Sequence, residues 1–373
     1  MVPVVSPDNP IESSSATPRA VPATAPSDGR VAVGGLSCRG VHRILVLRPN
    51  HRLGNTLLVT PLLCELERHF PGAEVDVVTG CEAAPEIFAG FRQVRRIYQL
   101  TRRPGHHPLR LWRMVRAMRR ARYDLAIDCV KGSRSARMLV RWSGARQWIA
   151  PPFDDADARR AGTAWQAAWA QAPGHFALDA VHALRQALGG SRAVQAWPQP
   201  RLRIKLREDE LQEGRHTLDD LLGDSGGIEQ GGRVVAIFPN ATGNKRLSGE
   251  WWQQFIGALQ QHDPSLRFIE MVAAHGRSQL DGRLPAYFSS DVRRMAALIR
   301  QCDGYISGDC GVMHLACASG TPTLGLFTRP NLARYKPYGP LDAAAEADPS
   351  DAGPAVRAAT DFLAALPEAR AAA

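Results

Sequence analysis

The chain has no apolar stretch approaching the roughly 18 residues that a membrane-spanning helix requires, so any membrane contact is expected to be peripheral. Its first forty residues, rich in Pro, Ser, Ala and Thr, also lack the apolar segment of about 7–15 residues that marks a secretory signal. A cytoplasmic location is the resulting expectation. Cys38, Cys64, Cys81, Cys129, Cys302, Cys310 and Cys317 include no C-x-x-C pair. Their odd number and scattered spacing argue against a disulfide framework and against a zinc site, so no metal is expected. There is no Walker phosphate loop and no solenoid-type repeat. No helix-turn-helix, RNA-recognition or zinc signature gives the formal charge of +10 a nucleic-acid meaning, and no nucleic-acid partner is expected.

With 373 residues, 45% of them apolar and 22% charged, the chain is globular in composition and long enough for two domains. The basic excess is mostly arginine, which favours anionic partners such as a phosphorylated glycolipid, a membrane surface or a nucleotide diphosphate. Residues 1–40 are expected to be a disordered arm, because they cannot bury enough apolar surface to offset chain entropy. Arg43 to Arg48 then reads as a buried strand, Glu74 to Thr79 as a second, Asp124 to Cys129 as a third and Gln147 to Ile149 as a short fourth. A helix is expected over Ala177 to Leu188. Pro198 and Pro200 mark a break, after which Arg233 to Phe238, Leu266 to Val272, Gly304 to Ser307 and Thr323 to Phe327 repeat the strand pattern. Strands alternating with helical segments imply parallel α/β units. The expected division is an arm (1–40), a first Rossmann-like domain (41–200), a second (201–345) and a helical tail (346–373) with a packing helix over Ala355 to Leu366.

Ligands of open parallel sheets collect beyond the carboxyl ends of the strands, so the loops there carry the candidate chemistry. Arg48 to Thr56 follows the first strand, with Gly54 allowing close backbone approach. Either Thr60 caps a helix with Pro61 at its first position, or Asn55 caps one that Pro61 kinks. Phe238 to Arg246 combines small and hydroxylic residues with two cations, so that Thr242 and Lys245 can hold a diphosphate. In Ser307 to Ala316, glycines flank Asp309 before a small-residue helix whose free N–H groups and dipole suit phosphate. Asp309 can cap that helix or hold a ligand hydroxyl, and His314 can face ligand or core.

The run Leu53 to Leu63 leading to His69-Phe70-Pro71 resembles the opening of glycosyltransferase family 9, the ADP-heptose:lipopolysaccharide heptosyltransferases. Asp124 to Asp128 with Arg134-Ser135-Ala136, Lys245-Arg246, Gly308 to Ala316, Gly320-Thr321-Pro322 and Pro337-Tyr338-Gly339 continue the resemblance in order. It implies a GT-B fold, in which two Rossmann-like domains face each other across a cleft. It implies an inverting transfer without an obligatory metal or other cofactor, from a nucleotide-sugar donor to an anionic glycolipid acceptor. Thr242, Lys245, Asp309, Gly311 and His314 would line the donor pocket. Where the family commonly has an aspartate base this chain has Asn55, and an amide cannot accept that proton. His51, in the same loop, and Asp128 are the alternative bases; without one, the chain would be a weakened or inactive sugar-nucleotide-binding member. Arg110, Arg113, Arg116 and Arg120 also lie near one helical face, with Leu111, Trp112, Val115 and Met118 as an apolar stripe opposite. That helix suits an acidic glycolipid or the inner face of the inner membrane.

Overall fold

The computed structural model of the protein describes residues 29–190, 192, 197–223, 232–241, 243–273 and 276–367. Among them, β1 (Arg43–Arg48), β2 (Glu74–Thr79), β3 (Val94–Gln99), β4 (Leu125–Asp128) and β5 (Gln147–Ile149) form one sheet in the order β3-β2-β1-β4-β5. A second sheet contains β6 (Val234–Phe238), β7 (Arg267–Met271), β8 (Ala286–Tyr287), β9 (Gly304–Gly308), β10 (Thr323–Phe327) and β11 (Ala343–Glu346), in the order β8-β7-β6-β9-β10-β11. Every pairing within both sheets is parallel. Each sheet starts at its centre, grows to one edge and then crosses to the other side, which is the doubly wound Rossmann arrangement. The crossings leave crevices at β1/β4 and β6/β9.

Parallel strands covered on both faces need apolar residues at every position, and β1 and β6 have them. Ile44 and Val46 face one core while Leu45 and Leu47 face another. Val235 and Ile237 likewise point away from Val234, Ala236 and Phe238. The core that holds Ile44 and Val46 also holds Val234 and Ala236, so one continuous apolar cluster runs through both units. Polar contacts reinforce it. Arg293, almost fully buried, donates to the Glu86 carbonyl (2.9 Å) and the Lys205 carbonyl (2.7 Å) and pairs with Glu210 (2.6 Å).

Several expectations need correction. From Gly29 onward the supposed arm is ordered: Val31 donates to the Trp148 carbonyl (3.0 Å), Arg30 pairs with Asp157 (2.5 Å), and Val31 and Leu36 are buried. Residues 1–28 lie outside the described residues. Neither helix start proposed after β1 is observed. A single turn, Leu53–Leu57, gives way to a helix over Thr60–His69 with Pro61 in its first turn, and Asn55 sits inside the first turn without capping it. Thr60 instead donates its hydroxyl to the Leu57 carbonyl (2.7 Å) and accepts from the Arg203 N–H (3.0 Å). Strands β3, β8 and β11 lacked a continuous apolar pattern, as suits edges and near-edges covered on fewer sides. The helix Gly353–Ala364 packs on the second sheet, with Ala355, Ala359, Phe362 and Leu363 in a core with Val235 and Ile237. No described helix is long and apolar enough to cross a membrane.

Candidate active site

The loops after β6 and β9 meet at the second crevice through three side chains. Lys245, ending a 3-10 turn over Gly243–Lys245, places its Nζ 2.5 Å from Oδ2 of Asp309, the residue that follows β9. Asn331 Nδ2 donates to the same oxygen at 2.8 Å. Asp309 is buried and Lys245 half-buried. Its carboxylate is occupied by these two partners, so Asp309 does not cap the helix Gly311–Ser319, whose start carries no side-chain cap. Thr242 lies outside the described residues. Asn331 was not foreseen from sequence; its Oδ1 is buried without a hydrogen-bond partner. Only its place in a loop beyond the carboxyl end of β10 could have drawn attention to it.

The helix Gly311–Ser319 is also the point where the two units touch. A Cβ on Gly54 would stand 2.7 Å from Cδ2 of His314 and 3.1 Å from the Gly311 Cα. A Cβ on Gly311 would stand 3.2 Å from the Gly54 nitrogen. Two glycines thus let the loop after β1 lie against the helix Gly311–Ser319. His314 is buried beside them, and burial pushes its imidazole down to about 4 against the opposing pull of Asp309. It is therefore neutral near pH 7.

At the first crevice, buried Arg48 ends β1 and donates to the Asn55 carbonyl and the Cys129 carbonyl, both at 3.3 Å. Burial lowers its guanidinium to about 10, still protonated near neutrality. That guanidinium lies 4.0 Å from the centre of the Phe176 ring, against which Arg334 of the second unit also rests at 4.7 Å. The Phe176 N–H donates to the Arg334 carbonyl (3.0 Å), tying the units together at the cleft. Asp128, at the end of β4, is only 1% exposed, and burial raises its carboxyl to about 7. Its Oδ1 accepts from the Val130 N–H (2.9 Å), while Oδ2 has no hydrogen bond and lies 3.9 Å from Arg137 Nε. His51 is half-buried in the loop after β1, with Nδ1 2.8 Å from the Gly80 carbonyl oxygen.

The family model of glycosyltransferase family 9 (heptosyltransferase) matches residues 111–363, more than half of the chain. The chain belongs to glycosyltransferase family 9. Its fold is similar to that of Escherichia coli heptosyltransferase WaaC with ADP, at 18% identity and a TM-score of 0.61, covering 86% of this chain and 99% of that one. A family 9 glycosyltransferase from Veillonella parvula aligns at 16% identity and a TM-score of 0.61, covering 82% of this chain and 86% of the other. For E. coli ADP-heptose lps heptosyltransferase II the values are 16%, 0.57, 86% and 98%. No sequence match was found among curated proteins. This glycosyltransferase therefore has the GT-B fold, and it is a heptosyltransferase-type enzyme by family.

In this family 9 member Lys245 and Asp309 are paired in the second unit and Gly311 and His314 follow on the helix Gly311–Ser319, while Asn55 and Asp128 lie beside Arg48 at the β1/β4 crevice and His51 turns instead to Gly80 after β2. Arg48, Phe176 and Arg334 went unnoticed in the sequence, since an arginine closing an apolar strand looks like an ordinary boundary. The buried neutral state of His314 has a consequence for stability. Its folded value near 4 lies below an unfolded value of about 6.5, so the unfolded chain binds more protons between those pH values. The associated stability, about 3 kcal/mol at most, is complete above pH about 6.5 and lost as pH falls toward 4. In denaturant titrations, His314→Gln should flatten the slope of stability against pH in that window; an unchanged slope would contradict this assignment.

Proposed function

We propose that this chain is an active inverting glycosyltransferase that transfers a sugar, heptose from ADP-heptose, to a lipopolysaccharide core or related surface-glycan acceptor. The observation that carries the reading is the Lys245–Asp309–Asn331 constellation spanning the β6/β9 crevice. It combines a positioned cation, a carboxylate and a carbonyl oxygen with open acceptor capacity beside the start of the helix Gly311–Ser319. A diphosphate entering here meets the helix dipole and the Lys245 ammonium. Lys245 then leaves Asp309 for the phosphates and offsets the charge that builds on the leaving group, a role a metal ion fills elsewhere. The released Asp309 carboxylate and the Asn331 oxygen are placed to accept hydrogen bonds from donor hydroxyls. Thr242 is assigned to the phosphates by its place in the loop, and Gly311 and neutral His314 close the donor pocket where the loop after β1 packs on the helix. ADP in the WaaC structure supports the same nucleotide class for this chain.

The second reading, a weakened or inactive binding protein, draws on one feature, the amide at Asn55 where a base is expected. The two readings separate in a transfer assay with ADP-heptose and a heptose-free lipopolysaccharide core. Lys245→Ala should lower kcat roughly 10²–10³-fold. Equal, negligible turnover in wild type and variant would favour the inactive reading.

We assign the peripheral contact to the helix Pro108–Ala121. Trp112 is 57% exposed and Leu109 70% exposed, among Arg113, Arg116 and Arg120 and near Arg96 of the adjoining strand. Trp112 thus belongs to the outer face, while of the other stripe residues Leu111 and Val115 are half-buried and Met118 is buried. Exposed indole with guanidinium groups suits an anionic headgroup region. Vesicles containing anionic lipid should sediment the wild type more than Arg113→Glu/Arg116→Glu, with the difference shrinking as salt rises. Binding indifferent to lipid charge would remove this assignment.

A further inference from the structure

An inverting transfer needs a group that takes the acceptor hydroxyl proton, and Asn55 cannot do so. Resting on the transfer reading above, we propose that His51 is the base and that the cavity it lines receives the acceptor. His51 belongs to the loop after β1, with its ring over Gly80 beyond the end of β2, three residues before Gly54, which touches the helix Gly311–Ser319. Its Nδ1 lies 2.8 Å from the Gly80 carbonyl oxygen. A carbonyl only accepts, so Nδ1 carries the proton and Nε2 keeps its lone pair.

Gly80 enforces this arrangement. A Cβ there would lie 2.3 Å from Cε1 and Nδ1 of the ring and 2.8 Å from Nε2, so the ring fits only over a glycine. The backbone behind it is locked. Gly80 N–H donates to the Asn50 carbonyl (3.0 Å), and the Thr79 hydroxyl donates to the same oxygen (3.2 Å). The Arg52 N–H adds a bond to Asn50 Oδ1 (2.8 Å). A base held this firmly retains its direction during the reaction.

The ring lines a cavity of about 270 Å³. The other charged groups on its wall are Glu82, Arg102 and Arg110, joined by Gln99 and Thr101. Two guanidinium groups against one carboxylate favour an anionic acceptor, with neutral hydroxyls left for Gln99 and Thr101. Two carboxylates outside this cavity fit the role less well. Asp128 is 1% exposed, too deep to touch an acceptor hydroxyl. Asp179 is half-buried on the other side of Arg48, near Arg334, Lys131 and His182.

In the step itself, the acceptor O–H proton passes to His51 Nε2 as the hydroxyl oxygen forms a bond to the anomeric carbon. The bond from that carbon to the diphosphate breaks, and its electron pair leaves on the nucleoside diphosphate. The imidazolium then returns its proton to water.

The variant His51→Asn keeps an N–H able to reach the Gly80 carbonyl but supplies no base. With ADP-heptose and heptose-free lipopolysaccharide core, it should lose about 10²–10⁴-fold in kcat, while calorimetric affinity for ADP stays within twofold of wild type. Adding Asn55→Asp to it should restore much of the turnover and move the acidic limb of the pH–kcat profile lower, since carboxylates titrate about two units below imidazole in water. Turnover within a few-fold of wild type in His51→Asn overturns the proposal. So does a base-type loss confined to Asp179→Asn. A wild type that neither binds ADP nor transfers would instead defeat the transfer reading and this proposal with it.

Discussion

The close approach of Gly54 to Gly311 and His314 governs the rest of the structure. Each doubly wound sheet creates its own crevice, and neither crevice alone brings two substrates together. Because neither glycine carries a Cβ, the loop after β1 lies directly on the helix after β9, and the two crevices open into one cleft. The apolar core that runs through both units and the Arg293 contacts hold this geometry from behind. A side chain at Gly54 would need to push His314 aside, and the tight packing around that buried ring gives it little space to move.

Charges in the cleft are divided by unit. The second unit presents Lys245 paired with Asp309. The first unit presents buried Arg48 between the Asn55 and Cys129 carbonyls, with Phe176 as a platform shared with Arg334. Each unit thus contributes a cation at its own crevice, in a setting that screens charge less than water does. Burial leaves His314 neutral and keeps an additional positive charge out of the interdomain contact.

Much of the framework was legible because buried parallel strands must be apolar throughout. The runs at β1 and β6 therefore announce themselves, as do the glycine-flanked Asp309 and the cationic Lys245 in the loops that follow. The edge strands β3 and β11, unlike β5, were not legible: Val94–Gln99 carries two adjacent arginines and Ala343–Glu346 is mostly alanine, and neither needs two apolar faces. The arm was misplaced by about a dozen residues, since Arg30 and Val31 gain their order from Trp148 and Asp157, more than a hundred positions away. The same holds within the site. Phe176 and Arg334 acquire meaning only when the second unit folds against the first, Asn331 only when the loop after β10 reaches Asp309, and Gly80 only when the ring of His51 lies over it.

The central claim is that the β6/β9 crevice holds the diphosphate of an adenine-nucleotide sugar through Lys245. Calorimetric titration of the protein with ADP, UDP and GDP, first without metal and then with magnesium, tests it most directly. The account predicts binding selective for ADP, present without metal and lost in Lys245→Ala. Folded protein that binds none of the three, or a Lys245→Ala variant that binds ADP as the wild type does, would contradict it.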